Sequence, residues 1–246
     1  MSFLSRRRAG LPEAWRAQAA ELVTWFDPMV TEEQDRIGEL AERFLTEKDW
    51  EAANGFALTE EIRLTISLQA ALLVLGLTFE HYRMVKTIIV HPTTMVWTGE
   101  RWAGAGLVSD GPVALLGQAS HHRGPVVIAW DEAHRNARHP ERGHDVVLHE
   151  LAHKLDMLDH IVDGTPPLAS KAEHDRWVRV CTAEFAAIRS GDNGDLIWDY
   201  AGQDPGEFFA VVTEVFFGRP KDLRHHNAEL YEILQDFYCQ DPAAVG

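Results

Sequence analysis

The sequence predicts an α+β fold in which a small, mostly antiparallel sheet lies beside the helix that carries His149 and His153. Three observations predict it. The first third of the chain has helical periodicity and helix-start signals. Short β-branched runs bounded by Gly, Pro or Asp follow between residues 83 and 130. From His144 onward helical patterning returns. At 246 residues with 46% hydrophobic side chains, the chain can bury a sizeable core. Neither an internal repeat nor a low-complexity linker divides it, so a single domain over 1–246 is expected, with about 1–80 a helical part and about 81–246 the core that carries the chemistry.

The elements are expected in the following order. Helices are placed at residues 12–20, at 31–45 with Thr31 and Gln34 as a capping box, and at 59–75. "RMVKTIIVHP" (83–92), "TTMVW" (93–97), "PVALLG" (112–117) and "GPVVIAW" (124–130) read as strands, with Trp130 marking a strand end before Asp131 caps a helix. Four helices follow. One carries the histidines, and a second starts at Ser170 with Glu173 as box partner. A third starts at Asp204, with Pro205 at the first helical position and Glu207 three after the cap; the last comes after Pro220. The loop "HIVDGTPPLA", 160–169, separates the first two and is a candidate rim for a cleft.

Charge and composition narrow the function. A formal charge of -15 is repelled by phosphate backbones and by anionic lipid, which argues against direct nucleic-acid or membrane partners. Arg6, Arg7 and Arg8 are followed by "AGLPEAWRAQ", too polar for a signal peptide. The most apolar run, "LQAALLVLGL" at 68–77, is about half of the roughly 20 residues a membrane span needs. Cys181 and Cys239 have no metal-type or disulfide-framework spacing, which fits a reducing cytoplasm.

The chemistry is concentrated in "HELAHKLDMLD", residues 149–159. Residues four apart on a helix project from one face, so His149 and His153 can reach one cation and form half of a zinc site. Glu150 lies about 100° round from His149, placed to take a proton from a water without being a ligand itself. Peptide hydrolysis is the reaction this arrangement suits. With 13 histidines, a chance His-Glu-x-x-His pattern is expected roughly 0.05 times in such a chain. The bland reading is a pair of satisfied core histidines, but "VVLHELAHKL" is an apolar run in which unpaired imidazoles are costly; Lys154, the exception, is expected to snorkel outward.

The third ligand has two candidates. Asp159 lies six residues past His153, where a ligand would need a tight turn at the position Asp156 occupies; aspartate supports that turn less well than glycine. If the helix runs on, Asp156 shares the histidine face and is expected to orient a ligand imidazole. The rival is Glu214, a lone carboxylate in "EFFAVVTEVFF" (207–217), which needs a cation if buried. Glu207, Glu214 and Lys221 recur every seven residues and alternatively form a thin solvated stripe. The half-site upstream favours Glu214 as the ligand.

"HELAHKLD", "GPVVIAW" and above all "WDYAGQDPGEFFAVVTEVFF" (198–217) resemble the Mlc titration factor A family of zinc metallopeptidases, of the gluzincin type, from about Phe44 to "QDP" at 240–242. The resemblance implies a zincin-like catalytic core similar to that of anthrax lethal factor. It also implies His149, His153 and Glu214 as Zn2+ ligands, Glu150 as the base, and a cytoplasmic, aminopeptidase-like activity. An Mlc-like repressor of sugar uptake is the implied partner besides peptide substrates. Tyr200 is a candidate oxyanion donor or a packed loop tyrosine. "GPVVIAW" is either an edge strand that pairs with substrate or an ordinary buried strand. The competing function is a zinc-stabilised, non-catalytic module that sequesters a regulator.

Overall fold

The computed structural model describes residues 10–93, 95–97, 101–102, 108–109, 113–115, 117–119, 124–192 and 194–244, with backbone alone between 95 and 119. Helices α1 (Glu13–Leu22) and α2 (Thr31–Glu47) lead into strand β1 (Asp49–Ala52), helix α3 (Glu60–Leu73) and strand β2 (Thr87–His91). Short strands β3 (Met95–Trp97), β4 (Arg101–Trp102), β5 (Val108–Ser109), β6 (Val113–Leu115) and β7 (Gly117–Ala119) precede β8 (Val126–Ala129). Helices α4 (Trp130–Arg138), α5 (Val146–Asp156), α6 (Lys171–Ser190), α7 (Pro205–Gly218), α8 (Pro220–His226) and α9 (Ala228–Tyr238) complete the order.

The principal sheet corrects the antiparallel expectation. Its order is β1-β2-β8-β7, with β1, β2 and β8 mutually parallel and only β7 antiparallel, against β8. β3 pairs with β6 and β4 with β5 in separate antiparallel ladders. Parallel strands need a crossover, and α3 supplies the one between β1 and β2. β1, "DWEA", has one large apolar side chain and lies at the sheet edge, so no alternation marks it as a strand. β8 is not an edge strand lining a cleft: β2 and β7 cover both of its sides.

Two local expectations also change. Thr31 makes no side-chain cap; Val30 is the N-cap of α2. Gln34 instead accepts from the Arg16 guanidinium and donates to the Phe26 carbonyl oxygen at 3.1 Å, tying α2 back to the segment before it. Lys154 does not snorkel. It is 2% exposed and donates to the Gly124 carbonyl oxygen at 3.1 Å, anchoring α5 to the start of β8.

One hydrophobic cluster runs from Leu11 to Ala243, and α5 lies in its middle against α3, α4, α7, β7 and β8. Phe208, Phe209 and Phe216 of α7 are buried in it, each worth roughly 1.5–3 kcal/mol of transfer free energy. No helix among the described residues is long and apolar enough to cross a membrane.

Candidate metal centre

α5 is fixed at its first turn. Asp145 Oδ1 accepts from the Val147 and Leu148 amides at 2.9 and 3.1 Å, and Asn136 Oδ1 of α4 accepts from the Val146 amide at 3.1 Å. One turn on, His149 and His153 stand on one face, with their Nε2 atoms 3.2 Å apart.

α7 supplies the opposite wall. Asp204 Oδ1 accepts from the Glu207 amide at 3.0 Å and Pro205 occupies the first helical position, so the helix starts where its sequence signals place it. The Glu207 side chain, however, does not turn back to close a capping box. Its Oε2 lies 3.1 Å from His149 Nε2 and 3.5 Å from His153 Nε2. Glu214 is two helical turns further on, about 10 Å along the axis at 1.5 Å per residue. It therefore meets the other side of His149: Oε1 is 2.7 Å from Nδ1, and Oε2 accepts from the Asp145 amide at 2.7 Å. Since Glu207 faces the last turn of α5 and Glu214 the first, the two helices run antiparallel.

A carboxylate can only accept, so Glu214 draws the imidazole proton to Nδ1, leaving a lone pair on His149 Nε2 in the neutral ring. That lone pair meets His153 Nε2 and Glu207 Oε2, and the latter is buried without a hydrogen bond. A tetrahedral ion with bonds of ~2.0–2.1 Å holds its ligand atoms about 3.3 Å apart. The spacings here, 3.1, 3.2 and 3.5 Å, fit such an ion. The donor set is therefore suited to a divalent metal.

The sequence and the structure divide on the carboxylates. Glu214 is buried as expected, but it sits behind His149, and Glu207 takes the place with the two imidazoles. The seven-residue spacing read as a solvated stripe puts both carboxylates on the face turned toward α5. That spacing, beside a two-histidine half-site, was the signal for Glu207; its position three after Asp204 disguised it as a capping residue. Asp156 orients neither imidazole. It is fully buried and hydrogen-bonds to neither ring, and a Cβ on Gly206 would stand 3.4 Å from its Oδ2. Burial pushes its carboxyl up to about 6, opposed by the Gly164 and Thr165 amides. Asp159 lies outside the cluster; its Oδ1 accepts from the Ile161 amide at 2.9 Å.

Glu150 is 3% exposed, and its Oε2 is buried without a partner. Burial pushes its carboxyl up to about 7, against the pull of His149 and His153. Against its own burial, His149 is held well above the usual imidazole range, chiefly by Glu214 and Glu207. Glu207, against its burial, is held well below the carboxylate range by the two rings. Tyr200 stands at the mouth, its ring 6.2 Å from that of His149 and 42% of the residue exposed. Burial of its hydroxyl and the nearby Glu207 raise its pKa. It is thus not packed away beneath a loop.

The 160–169 loop borders the same place. Gly164, at φ +74°, lies so close to α7 that a Cβ on it would stand 2.2 Å from the Pro205 carbonyl oxygen. The Gly164 carbonyl in turn accepts from the buried indole of Trp177 at 2.9 Å.

Comparison with known proteins gives a consistent picture. A family model described as "Glucose-regulated metallo-peptidase M90" matches residues 3–239. Mlc titration factor A of Serratia proteamaculans is 32% identical over 240 residues, covering 92% of this chain and 90% of that protein. Mlc titration factor A of Salmonella gallinarum is 31% identical over 236 residues, 94% and 88% of the two chains. The Synechocystis protein slr2042 is 30% identical over 235 residues, 94% and 86% of the two.

Proposed function

The chain belongs to the glucose-regulated metallo-peptidase M90 family, and from that premise we propose that it hydrolyses peptide bonds at a zinc site formed by His149, His153 and Glu207, with aminopeptidase-like action on small substrates. The observation that carries this reading is the convergence of His149, His153 and Glu207, each offering one ligand atom, with Glu207 Oε2 buried without a hydrogen bond and a second buried, unpartnered oxygen on the neighbouring Glu150. Two neutral imidazoles and one carboxylate leave a net positive site when a divalent zinc is bound, and three protein ligands leave a coordination position open.

When bound, zinc supplies Lewis-acid polarisation of the scissile carbonyl and makes a water easier to deprotonate. Glu150, about one turn from the helix start and buried beside both histidines, takes the proton of the attacking water and passes it to the leaving amine. Tyr200, at the mouth, donates its hydroxyl to the oxyanion as the carbonyl carbon becomes tetrahedral. Glu214 keeps the His149 proton on Nδ1 throughout, so Nε2 remains a ligand atom.

The test is a peptide library incubated with zinc-loaded wild type and with Glu150→Gln, zinc content being verified in both. Cleavage by wild type alone at equal occupancy is the expected result; intact peptides with both proteins would overturn the reading.

A second reading is favoured by the name shared by several relatives, Mlc titration factor A. In it the chain also binds an Mlc-like repressor, with or without catalysis, in the cytoplasm; both free cysteines are compatible with a reducing compartment. Equal retention of such a repressor by wild type and Glu150→Gln would support binding independent of hydrolysis, and no retention by either would end it.

A further inference from the structure

The loop at 160–169 carries two side chains whose exposure the fold does not require. Ile161 and Val162 are 55% and 56% exposed, consecutive, β-branched and apolar. They are not exposed because the loop is loosely held. Asp159 Oδ1 fixes the Ile161 amide at 2.9 Å, and Asp163 Oδ1 fixes the Thr165 amide at 3.0 Å. His160 takes the left-handed conformation at φ 73°, and Gly164 is seated on Pro205. A loop held at both ends thus presents a fixed apolar rim.

The rim adjoins the metal centre. Val162 Cγ1 lies 3.2 Å from the point where a Cβ on Gly206 would stand, and Gly206 is bonded to Glu207. Tyr200, the third large exposed apolar group of this region, flanks His149. Val162 thus packs beside the residue that precedes Glu207, and a substrate engaged at the site, advancing about 3.4 Å per residue when extended, has the rim beside its path.

We infer that Ile161 and Val162 form a specificity subsite that takes an apolar side chain of the peptide substrate near the cleaved bond. The inference rests on the peptide-binding part of the proposed function and assigns a side-chain class to it. An apolar substrate side chain covers the exposed Ile161 and Val162 surface, whereas a lysine or serine set against those two side chains gives up water for no hydrogen-bond partner on either of them.

Binding can be read apart from cleavage. Zinc-loaded Glu150→Gln is titrated by calorimetry with alanine-based heptapeptides bearing one Leu, Ser or Lys at each position in turn. Leu should bind about tenfold tighter than Ser or Lys at one position, and adding Ile161→Ser and Val162→Ser should reduce that ratio to under about threefold. Val162→Asp in the same background should reverse the preference toward Lys. Absence of a Leu preference, or its persistence in the Ser/Ser protein at equal zinc content, overturns the subsite. Wild type is then given the Leu peptide: selective binding without hydrolysis sustains the subsite and removes the peptidase reading, whereas cleavage sustains both.

Discussion

Glu207 and Glu214 touch the same imidazole from opposite sides, so substituting them separates two roles. Glu214→Gln keeps an oxygen for one partner but turns an amide NH2 toward either His149 Nδ1 or the Asp145 amide. Zinc affinity should fall roughly 10–100-fold, as for other residues that orient a ligand, and leaving a buried donor unpaired should cost about 1–3 kcal/mol of stability. Glu207→Ala should weaken zinc by more than that range, and at neutral pH it also costs the metal-free protein the pairing that holds the Glu207 carboxyl low beside His149. Competition with a chromophoric chelator, together with denaturant melts of both apo proteins, checks the pair of outcomes; equal losses of affinity would return Glu214 to the ligand role. The histidine spacing could be read from sequence because two residues four apart on a helix have one geometry. The side of the ring on which each carboxylate falls could not, since that depends on how α7 lies across α5. Lys48 gives a separate residue-scale test. Burial lowers its ammonium to about 8 from an ordinary 10.5, although it donates to the Tyr82 carbonyl oxygen. Between about pH 8 and 10.5 the unfolded chain binds the proton and the folded one does not, so this residue makes stability rise with pH across that window. The rise should be missing from Lys48→Met when urea melts are compared at pH 8 and 10.

At the scale of elements, the junction of the 160–169 loop with α7 is the most exacting contact near the site. Gly164→Ala combines left-handed backbone with a clash against the Pro205 carbonyl, and neither a different rotamer nor a flexible neighbour relieves it. Thermal melts should show a loss of about 1–3 kcal/mol. Because α7 must shift to make room, zinc affinity should fall too; an unchanged affinity would show that the loop can move without Glu207. Asp204→Ala removes the cap of α7 and should cost about 1 kcal/mol. Helix starts at Thr59, Ser170 and Asp204 were legible because each side chain caps its own helix locally. Thr31 has the same pattern without the function, since Gln34 is claimed by Arg16 and the Phe26 carbonyl. The parallel sheet was not legible because β1 is short, polar and paired with residues 38 positions further along the chain, and nothing in four residues encodes that partner.

For the whole molecule, a metal held jointly by α5 and α7 couples occupancy to stability. Zinc at a thousandfold excess over its Kd adds about 4 kcal/mol, or roughly 10 °C in Tm for a chain of this size. Chelation should lower the melting temperature by that order without unfolding the protein at 25 °C, because the hydrophobic cluster from Leu11 to Ala243 needs no ion. Scanning calorimetry before and after chelator gives the answer, and a coincident Tm would deny the site a metal. The antiparallel pairing of α5 with α7 also has a consequence for biosynthesis. The two histidines leave the ribosome more than fifty residues ahead of Glu207, and the carboxylate that sets the His149 tautomer comes later still. With the ligand set proposed above, a nascent chain carries only a weak two-imidazole half-site, high-affinity metallation waits until α7 has been translated and docked, and a product truncated before α7 should be metal-poor.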